Sequence, residues 1–158
     1  MDVGMGTIDL TLTVEDPFSK EAAALVQALD ADLGSRYPSS SIHTTDLAEV
    51  APGRGFFVVA RLSGRAVGCG ALRLLETGMG EVKRMWVEPA ARRRGIARQI
   101  LARLEVEARA LGLTTLRLET GARQPEAIGL YESCGYCRIP CYGEYANDPH
   151  SDCFEKQL

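Results

Sequence analysis

The feature that most constrains the fold is a strand, helix and strand in succession within residues 81–118. Apolar residues from Gly95 to Leu111 recur every three or four positions, which predicts an amphipathic helix, and Gly112 is a typical C-terminal cap. Glu81 to Val87 predicts the strand before it, and Thr114 to Leu118 predicts the strand after it. This order builds a right-handed crossover between two parallel strands.

The rest of the chain predicts the elements around this crossover. Alternating apolar residues and turn signals indicate five further strands, Thr7 to Val14, Phe56 to Leu62, Ala66 to Leu74, Tyr136 to Ile139 and Cys153 to Gln157. Helical periodicity and capping residues indicate three further helices, Ser19 to Leu33, Thr45 to Val50 and Pro125 to Cys134. We therefore expect one domain over residues 1–158, of the α/β (α+β) class, with a mixed sheet of about seven strands flanked by about four helices.

Basic residues are concentrated around the crossover. Lys83 to Arg123 contains ten basic and four acidic residues, although the whole chain has a net charge of -3. A local excess of this kind suits an anionic small molecule, whereas a protein that binds nucleic acid is more often basic as a whole. Nucleic-acid binding is therefore disfavoured.

The apolar runs of the chain are short. The longest conspicuous run, Phe56 to Ala60, is far shorter than the roughly 20 residues that span a bilayer. Met1 to Asp9 contains acidic residues and glycines instead of a basic stretch followed by an apolar block, so it does not resemble a secretory signal. We expect a cytoplasmic protein with no membrane partner.

Five cysteines are present, an odd number, at positions Cys69, Cys134, Cys137, Cys141 and Cys153. Without a secretory signal we expect all of them to be reduced thiols. The C-x2-C-x3-C spacing, together with His150 three residues before the last cysteine, leaves a zinc site open. The irregular spacing and the lack of a second C-x2-C pair favour small apolar core residues instead, so we expect no metal.

Arg92 to Ala97 joins the end of a predicted strand to the start of a predicted helix. The first backbone N–H groups of a helix have no acceptor within it, and the helix dipole is positive there. Gly95 has no Cβ, so phosphate oxygens can approach the main chain, and Ala97 is small enough to avoid crowding them. With three arginines adjacent, this segment predicts a site for a pyrophosphate or an adenosine 3′-phosphate. We call it the cradle: Arg92, Arg93, Arg94, Gly95, Ile96 and Ala97.

Two motifs in sequence order carry a family resemblance. The cradle is similar to a Q/R-x-x-G-x-G/A signature, and Ala127 to Tyr136 resembles an A-x-x-L-Y-x-x-x-G-F/Y signature. Over Gly80 to Tyr136 the chain thus resembles the GNAT (GCN5-related N-acetyltransferase) superfamily, in particular small bacterial single-domain members without an assigned substrate. The resemblance implies the acyl-CoA N-acyltransferase fold, in which strand 81–87 carries a bulge and splays from strand 114–119.

The resemblance also implies the residues that bind acetyl-CoA. The backbone of Met85-Trp86-Val87 would pair with the pantetheine arm, and the cradle would bind the phosphates. The side chain of Trp86 is expected to pack in the core. Gln124 stands where many relatives have Asn, and it could reach the same arm.

Glu81 and Tyr131 are the catalytic residues that the resemblance implies. Glu81 lies six residues before Val87, a spacing similar to that of the catalytic glutamate of histone-type members, and it would act as the base. The alternatives are that Glu81 only pairs with Lys83 or Arg84, and that Glu119 or a water is the base. Tyr131 would donate a proton to the departing thiolate, or would be a core residue only.

The function that follows is acetyl transfer from acetyl-CoA to a small amine or an amino acid, by direct attack in a ternary complex. The alternative from another class is a non-catalytic module that binds or senses acyl-CoA, which would keep the cradle but need neither catalytic residue. The segments Tyr142 to Tyr145 and Arg36-Tyr37 could wall the acceptor site. Relatives are often homodimers, so a homodimer is left open.

Overall fold

The computed structural model of the chain describes residues 9–36 and 47–158. Within these ranges the elements are β1 (Leu10–Glu15), α1 (Lys20–Arg36), β2 (Gly55–Leu62), β3 (Arg65–Leu74), β4 (Met79–Val87), α2 (Ile96–Ala110), β5 (Thr115–Gly121), α3 (Pro125–Ser133), β6 (Cys137–Ile139) and β7 (Ser151–Gln157). Short 3-10 helices occupy Leu47–Val50, Pro89–Ala91 and Gly143–Tyr145. Each predicted strand and each long predicted helix is present, with ends within a few residues of the predicted ones.

The short second helix differs from the prediction. We expected it over Thr45 to Val50, and the structure has a 3-10 helix at Leu47–Val50, so three α-helices flank the sheet in the described ranges. Pro52 follows within two residues and cannot donate a backbone hydrogen bond, and Gly53 turns the chain at a φ of 88°. The segment therefore has no room to continue as an α-helix. The predictions at Thr7, Ile8, Tyr37, Thr45 and Asp46 lie outside the described residues.

The seven strands form one mixed sheet in the order β1-β2-β3-β4-β5-β7-β6. Every neighbouring pair is antiparallel except β4 and β5, which are parallel and are joined through α2. The predicted crossover is therefore confirmed, and it lies at the centre of the sheet.

Helices cover both faces of the sheet. On one face, α2 buries Ile100 and Leu104 against a cluster that includes Val82 and Leu116. On the other face, α1 packs on Phe57 and its neighbours, and it begins where the Ala22 N–H donates to Ser19 Oγ at 3.2 Å, as the predicted N-cap requires. No helix in residues 9–36 and 47–158 is both long and apolar enough to cross a membrane.

The central parallel pair opens toward its carboxyl end. Pairing between β4 and β5 stops at Val82 and Leu118, although both strands continue beyond that point. On its other edge, two residues of β4 stand opposite the single residue Gly70 of β3, and Arg84 has a φ of 57°. This is a β-bulge, which bends the strand locally. The bulge and the splayed gap expected from the resemblance are therefore both present.

One expectation about the cysteines is wrong. Cys141 and Cys153 form a disulfide, with their Cα atoms 5.1 Å apart, whereas we expected five reduced thiols. Cys141 follows β6, which pairs with β7, and its thiol side chain lies 3.5 Å from the Ser151 carbonyl of β7, so the two sulfurs meet despite a sequence separation of 12. Cys69, Cys134 and Cys137 are free. The described residues contain no cluster of three or more His, Cys, Asp or Glu side chains that could hold a metal.

Candidate functional site

The cradle has the backbone shape of an anion site. Helix α2 begins at Ile96, and no side chain caps its first N–H groups. Arg93 and Gly95 both have left-handed backbone angles, with φ values of 64° and 76°. Such alternation turns successive N–H groups toward one point, where they can bind an anion. A Cβ added to Gly95 would meet no atom within 4 Å, so the space above the main chain is open.

The three arginines of the cradle differ in their contacts. Arg92 is tied to the protein, since its Nε donates to the Val87 carbonyl at 2.8 Å and its guanidinium lies 3.5 Å from the Asp32 carboxylate. Arg93 and Arg94 are exposed and form no ion pair within the described residues. Arg92 therefore fixes the end of β4, while the other two supply positive charge that an anion can use.

A cavity of about 710 Å³ runs from the cradle to α3. It is lined by nearly all of the residues predicted to bind the donor, namely Met85, Trp86, Val87, Arg92, Arg93, Gly95, Ile96, Ala97 and Gln124, and by the predicted catalytic residue Tyr131. Arg94, predicted to bind the donor, and Glu81, predicted to be the base, do not line it. The structure thus brings together both ends of a long sequence segment around one cavity.

Sequence reasoning missed part of the lining. Leu29, Asp32 and Leu33 of α1 border the cavity, and only the packing of α1 over the end of β4 reveals this. Arg98 also borders it and donates to Ser133 Oγ at 2.8 Å, which ties α2 to the end of α3. The sequence feature that could have identified Arg98 as a lining residue is its position directly after Ala97, the last residue of the cradle.

Tyr131 lines this cavity and is 5% exposed. Its ring packs edge-on against Tyr136, so it is partly a core residue, but its hydroxyl has no hydrogen-bond partner among the described residues. Burial raises the pKa of the Tyr131 phenol above its ordinary value, and the negative charge of Glu119 adds to this. The phenol therefore keeps its proton at neutral pH and can donate it.

Glu81 is fully buried on the sheet face that α2 does not cover. One carboxylate oxygen accepts from Arg73 at 2.6 Å, and the other accepts from the Tyr142 hydroxyl at 2.6 Å. Lys83 is more distant, with its Nζ 3.9 Å from Glu81, and Arg84 pairs with Asp30 instead. The partners considered from the sequence are therefore secondary to Arg73 and Tyr142.

Lys83 and Glu119 flank the start of the gap, because each directly follows the last paired residue of its strand. The Lys83 ammonium donates to the Tyr145 hydroxyl, and its side chain is 9% exposed. Burial lowers the pKa of Lys83, and the charge of Glu81 opposes that shift. Glu119 accepts from Ser151 Oγ at 2.7 Å. Charged groups thus border the gap on both strands.

A second cavity, of about 650 Å³, opens on the same side as Glu81. It lies between the start of β2, the end of β3 and the connection from β6 to β7. Its lining is rich in charge: Glu49, Gly53, Arg54, Arg73, Leu74, Leu75, Glu76, Arg117, Tyr142 and Gly143. Tyr142, which the sequence marked as an acceptor wall, connects this cavity with Glu81.

Known proteins resemble the chain over nearly its full length. Residues 22–136 match the sequence profile described as "Acetyltransferase (GNAT) family". An IAA acetyltransferase from Azospirillum brasilense is 44% identical over 151 residues, which cover 95% of this chain and 99% of that protein.

Solved structures share the fold. A protein of Klebsiella pneumoniae subsp. pneumoniae MGH 78578, assigned as an acyl-CoA N-acyltransferase, superposes with a TM-score of 0.84 at 38% identity, covering 96% of this chain and 99% of that one. A GNAT family acetyltransferase from Elizabethkingia anophelis with acetyl-CoA bound has a TM-score of 0.70 at 17% identity, covering 94% and 98%. The second likeness concerns the fold alone.

Proposed function

We propose that this chain, which belongs to the acetyltransferase (GNAT) family, transfers the acetyl group of acetyl-CoA to the amine of a small molecule or amino acid. The observation that carries the proposal is the cavity of about 710 Å³ that joins the uncapped start of α2 to Tyr131. The cradle suits a polyanion, and Tyr131 presents a protonated phenol to the same cavity.

The residues present fit acetyl-CoA as the donor substrate. Gly95, the free N–H groups of α2 and the unpaired Arg93 and Arg94 would bind its phosphates. Beyond Val82 the β5-facing edge of β4 has no strand partner in the described residues, so the backbone at 85–87 is open to the pantetheine arm. Gln124 lines the same cavity and can donate an amide hydrogen to that arm.

Glu81 and Tyr131 would divide the proton transfers. The amine acceptor must lose a proton before its nitrogen attacks the thioester carbon, and Glu81 is the proposed base. Collapse of the intermediate breaks the carbon–sulfur bond, and Tyr131 is the proposed donor to the leaving sulfur. No covalent enzyme intermediate is needed, so much of the rate would come from holding donor and acceptor together.

The identity of the acceptor has one lead among the relatives. The protein that is 44% identical is named IAA acetyltransferase, so IAA belongs in the first set of acceptors to test. We further propose a cytoplasmic enzyme. Sedimentation of the purified chain would decide whether it is a homodimer, which the resemblance leaves open.

A non-catalytic acyl-CoA sensor is the second candidate. The observation that favours it is the burial of Glu81, whose two carboxylate oxygens both accept hydrogen bonds from protein side chains. A sensor would keep the cradle, but it would release no thiol from acetyl-CoA.

One experiment separates the two candidates. Acetyl-CoA is titrated into the protein by calorimetry, and release of free CoA thiol is then followed over a panel of amines, amino acids and IAA. We expect saturable binding and acceptor-dependent thiol release. Binding without release on any acceptor would favour the sensor, and no saturable binding would contradict both.

A further inference from the structure

Glu81 cannot touch an acceptor directly. Its side chain is 0% exposed, and charged or phenolic groups face it from every packed element: Arg73 on β3, Lys83 on β4, Arg117 opposite it on β5, and Tyr142 and Tyr145 in the connection after β6. A base in this position needs a neighbouring group that carries protons to it.

Tyr142 has the contacts of such a carrier. Its hydroxyl donates to Glu81 at 2.6 Å, and the residue also lines the cavity of about 650 Å³. Its ring is held between two neighbours, since the Arg117 guanidinium lies 5.3 Å from the ring centroid and the Tyr145 ring packs edge-on at 5.4 Å. Tyr142 therefore lies between the buried carboxylate of Glu81 and a cavity large enough for a small molecule.

The charges of this cavity indicate what it can bind. Arg73 is neutralised by Glu49 and Glu81, and Arg117 is paired with Glu155 at 2.7 Å.

Two charges on the rim remain unpaired. Arg54 and Glu76 are exposed, and neither forms an ion pair within the described residues. A guanidinium binds a carboxylate through two parallel hydrogen bonds, and a carboxylate suits an ammonium group. The open charges of the cavity therefore match a small molecule that carries both an amine and a carboxylate.

We propose that this cavity binds the acceptor, a small amine that also carries a carboxylate, and that Tyr142 is the catalytic residue that passes the acceptor's proton to Glu81. The proposal rests on the acetyl transfer proposed above and names the acceptor side of the same site. Arg54 binds the carboxylate, and Tyr142 contacts the nitrogen.

The proton transfers balance. A proton moves from the acceptor ammonium to the Tyr142 oxygen as the phenol proton moves to Glu81, which gives a neutral amine and a carboxylic acid. The amine attacks the thioester carbon, a carbon–nitrogen bond forms and the carbon–sulfur bond breaks. Tyr131 protonates the departing sulfur and recovers a proton from the second N–H of the attacking nitrogen, and Glu81 returns its proton to solvent through the Tyr142 hydroxyl. Burial and the charge of Glu81 raise the pKa of Tyr142, so the phenol exists as neutral species before and after the transfer.

The relay is tested by Tyr142→Phe, Glu81→Gln and the double variant. We expect the kcat of the wild type to rise with pH as the base loses its proton. Each single change should lower kcat about a hundredfold, remove that rise, and leave the KM for acetyl-CoA unchanged. Because the two residues act in one relay, the double variant should be no slower than either single variant. Multiplied effects in the double variant would overturn the relay.

A matched control exists in the same chain. Tyr136 donates to the buried Glu105 at 2.9 Å, a pair of the same chemistry that lies against α2, away from the second cavity. Tyr136→Phe and Glu105→Gln should lower stability without changing the pH profile of kcat. If they change the profile as the Tyr142 and Glu81 variants do, the effect is structural and the inference is wrong.

Arg54→Met tests the acceptor class. We expect its KM to rise about tenfold for an amino acid and to stay constant for the matched amine without the carboxylate. Arg109→Met, which removes an exposed arginine from the last turn of α2, should change neither value. If Arg54→Met raised the KM equally for the amino acid and for the matched amine, the proposal that the acceptor carries a carboxylate would be wrong. A wild type that binds acetyl-CoA and acetylates no amine would instead overturn the proposed function, and this inference with it.

Discussion

Gly95 and Gly112 stand at the two ends of α2 with nearly the same backbone angle, a φ of 76° at the first and 78° at the second. At each position an added Cβ would meet no protein atom within 4 Å. An alanine therefore costs about 1 kcal/mol of left-handed backbone strain at either glycine, and no steric clash with the protein. Only Gly95 lies in the cradle.

The pair gives a prediction about the donor site. Gly95→Ala should raise the Kd for acetyl-CoA about tenfold, because its methyl group occupies space that phosphate oxygens need. Gly112→Ala should lower the free energy of unfolding by about 1 kcal/mol, the cost of the left-handed backbone strain, and should leave the Kd for acetyl-CoA unchanged. Calorimetric titration of both variants measures this. Equal Kd values for the two variants would show that the cradle does not bind the phosphates.

Replacement of Tyr131 by Phe removes the proposed proton donor and keeps the packing of its ring. We expect kcat to fall between about tenfold and a hundredfold, with little change in either KM, because a thiolate can leave without full assistance. Tyr136→Phe is the control, since that ring packs against Tyr131 but lies outside the cavity. An unchanged kcat for Tyr131→Phe would leave this residue as part of the core only.

Alkaline pH should destabilise the protein through its tyrosines. Burial raises the pKa of Tyr131, Tyr136, Tyr142 and Tyr145 above their ordinary 10.0, with Glu119, Glu105 or Glu81 adding negative charge. A group whose folded pKa is raised contributes stability below its unfolded pKa, and that stability is lost as pH rises further. The free energy of unfolding should therefore fall above pH of about 10.

Phenolate absorbance checks this assignment. The chain contains five tyrosines, and in the native protein these four should remain protonated at a pH where the urea-unfolded chain has ionised. If more than one tyrosine of the native protein ionised near the ordinary pKa, the result would contradict the burial of these phenols.

Thiol counting tests the disulfide. Protein unfolded without reductant should react at three thiols, those of Cys69, Cys134 and Cys137, and at all five after reduction. Reduction should also lower the free energy of unfolding by about 3 kcal/mol, because the bond closes a loop of moderate length. Cys137→Ser is a control that should lower the first count by one. Five reactive thiols before reduction would contradict the Cys141–Cys153 bond.

The fold could be predicted from the sequence because local patterns of apolar and turn residues determine its helices and strands. The period of α2, the two strands around it and the turn residues predict a central parallel crossover, and the bounds agree within a few residues. The exception, Leu47–Val50, is short and lies next to Pro52, where local signals for 3-10 and α-helix are alike.

The sequence could predict the site only where its residues are neighbours in the chain. The cradle is one continuous segment, so its backbone chemistry could be deduced. The pairing of Asp32 with Arg92, and of Glu81 with Arg73 and Tyr142, depends on helix docking and on strand register. The disulfide depends likewise on the path of a loop. Such contacts join residues far apart in the chain, and no periodic pattern encodes them.

Release of CoA thiol from acetyl-CoA in the presence of an amino acid tests the central claim most directly. The rate should require the acceptor, saturate in both substrates and yield one acetylated amine for each thiol. Saturable binding of acetyl-CoA with no thiol release on any acceptor would contradict the claim that this chain is an acetyltransferase of small amines.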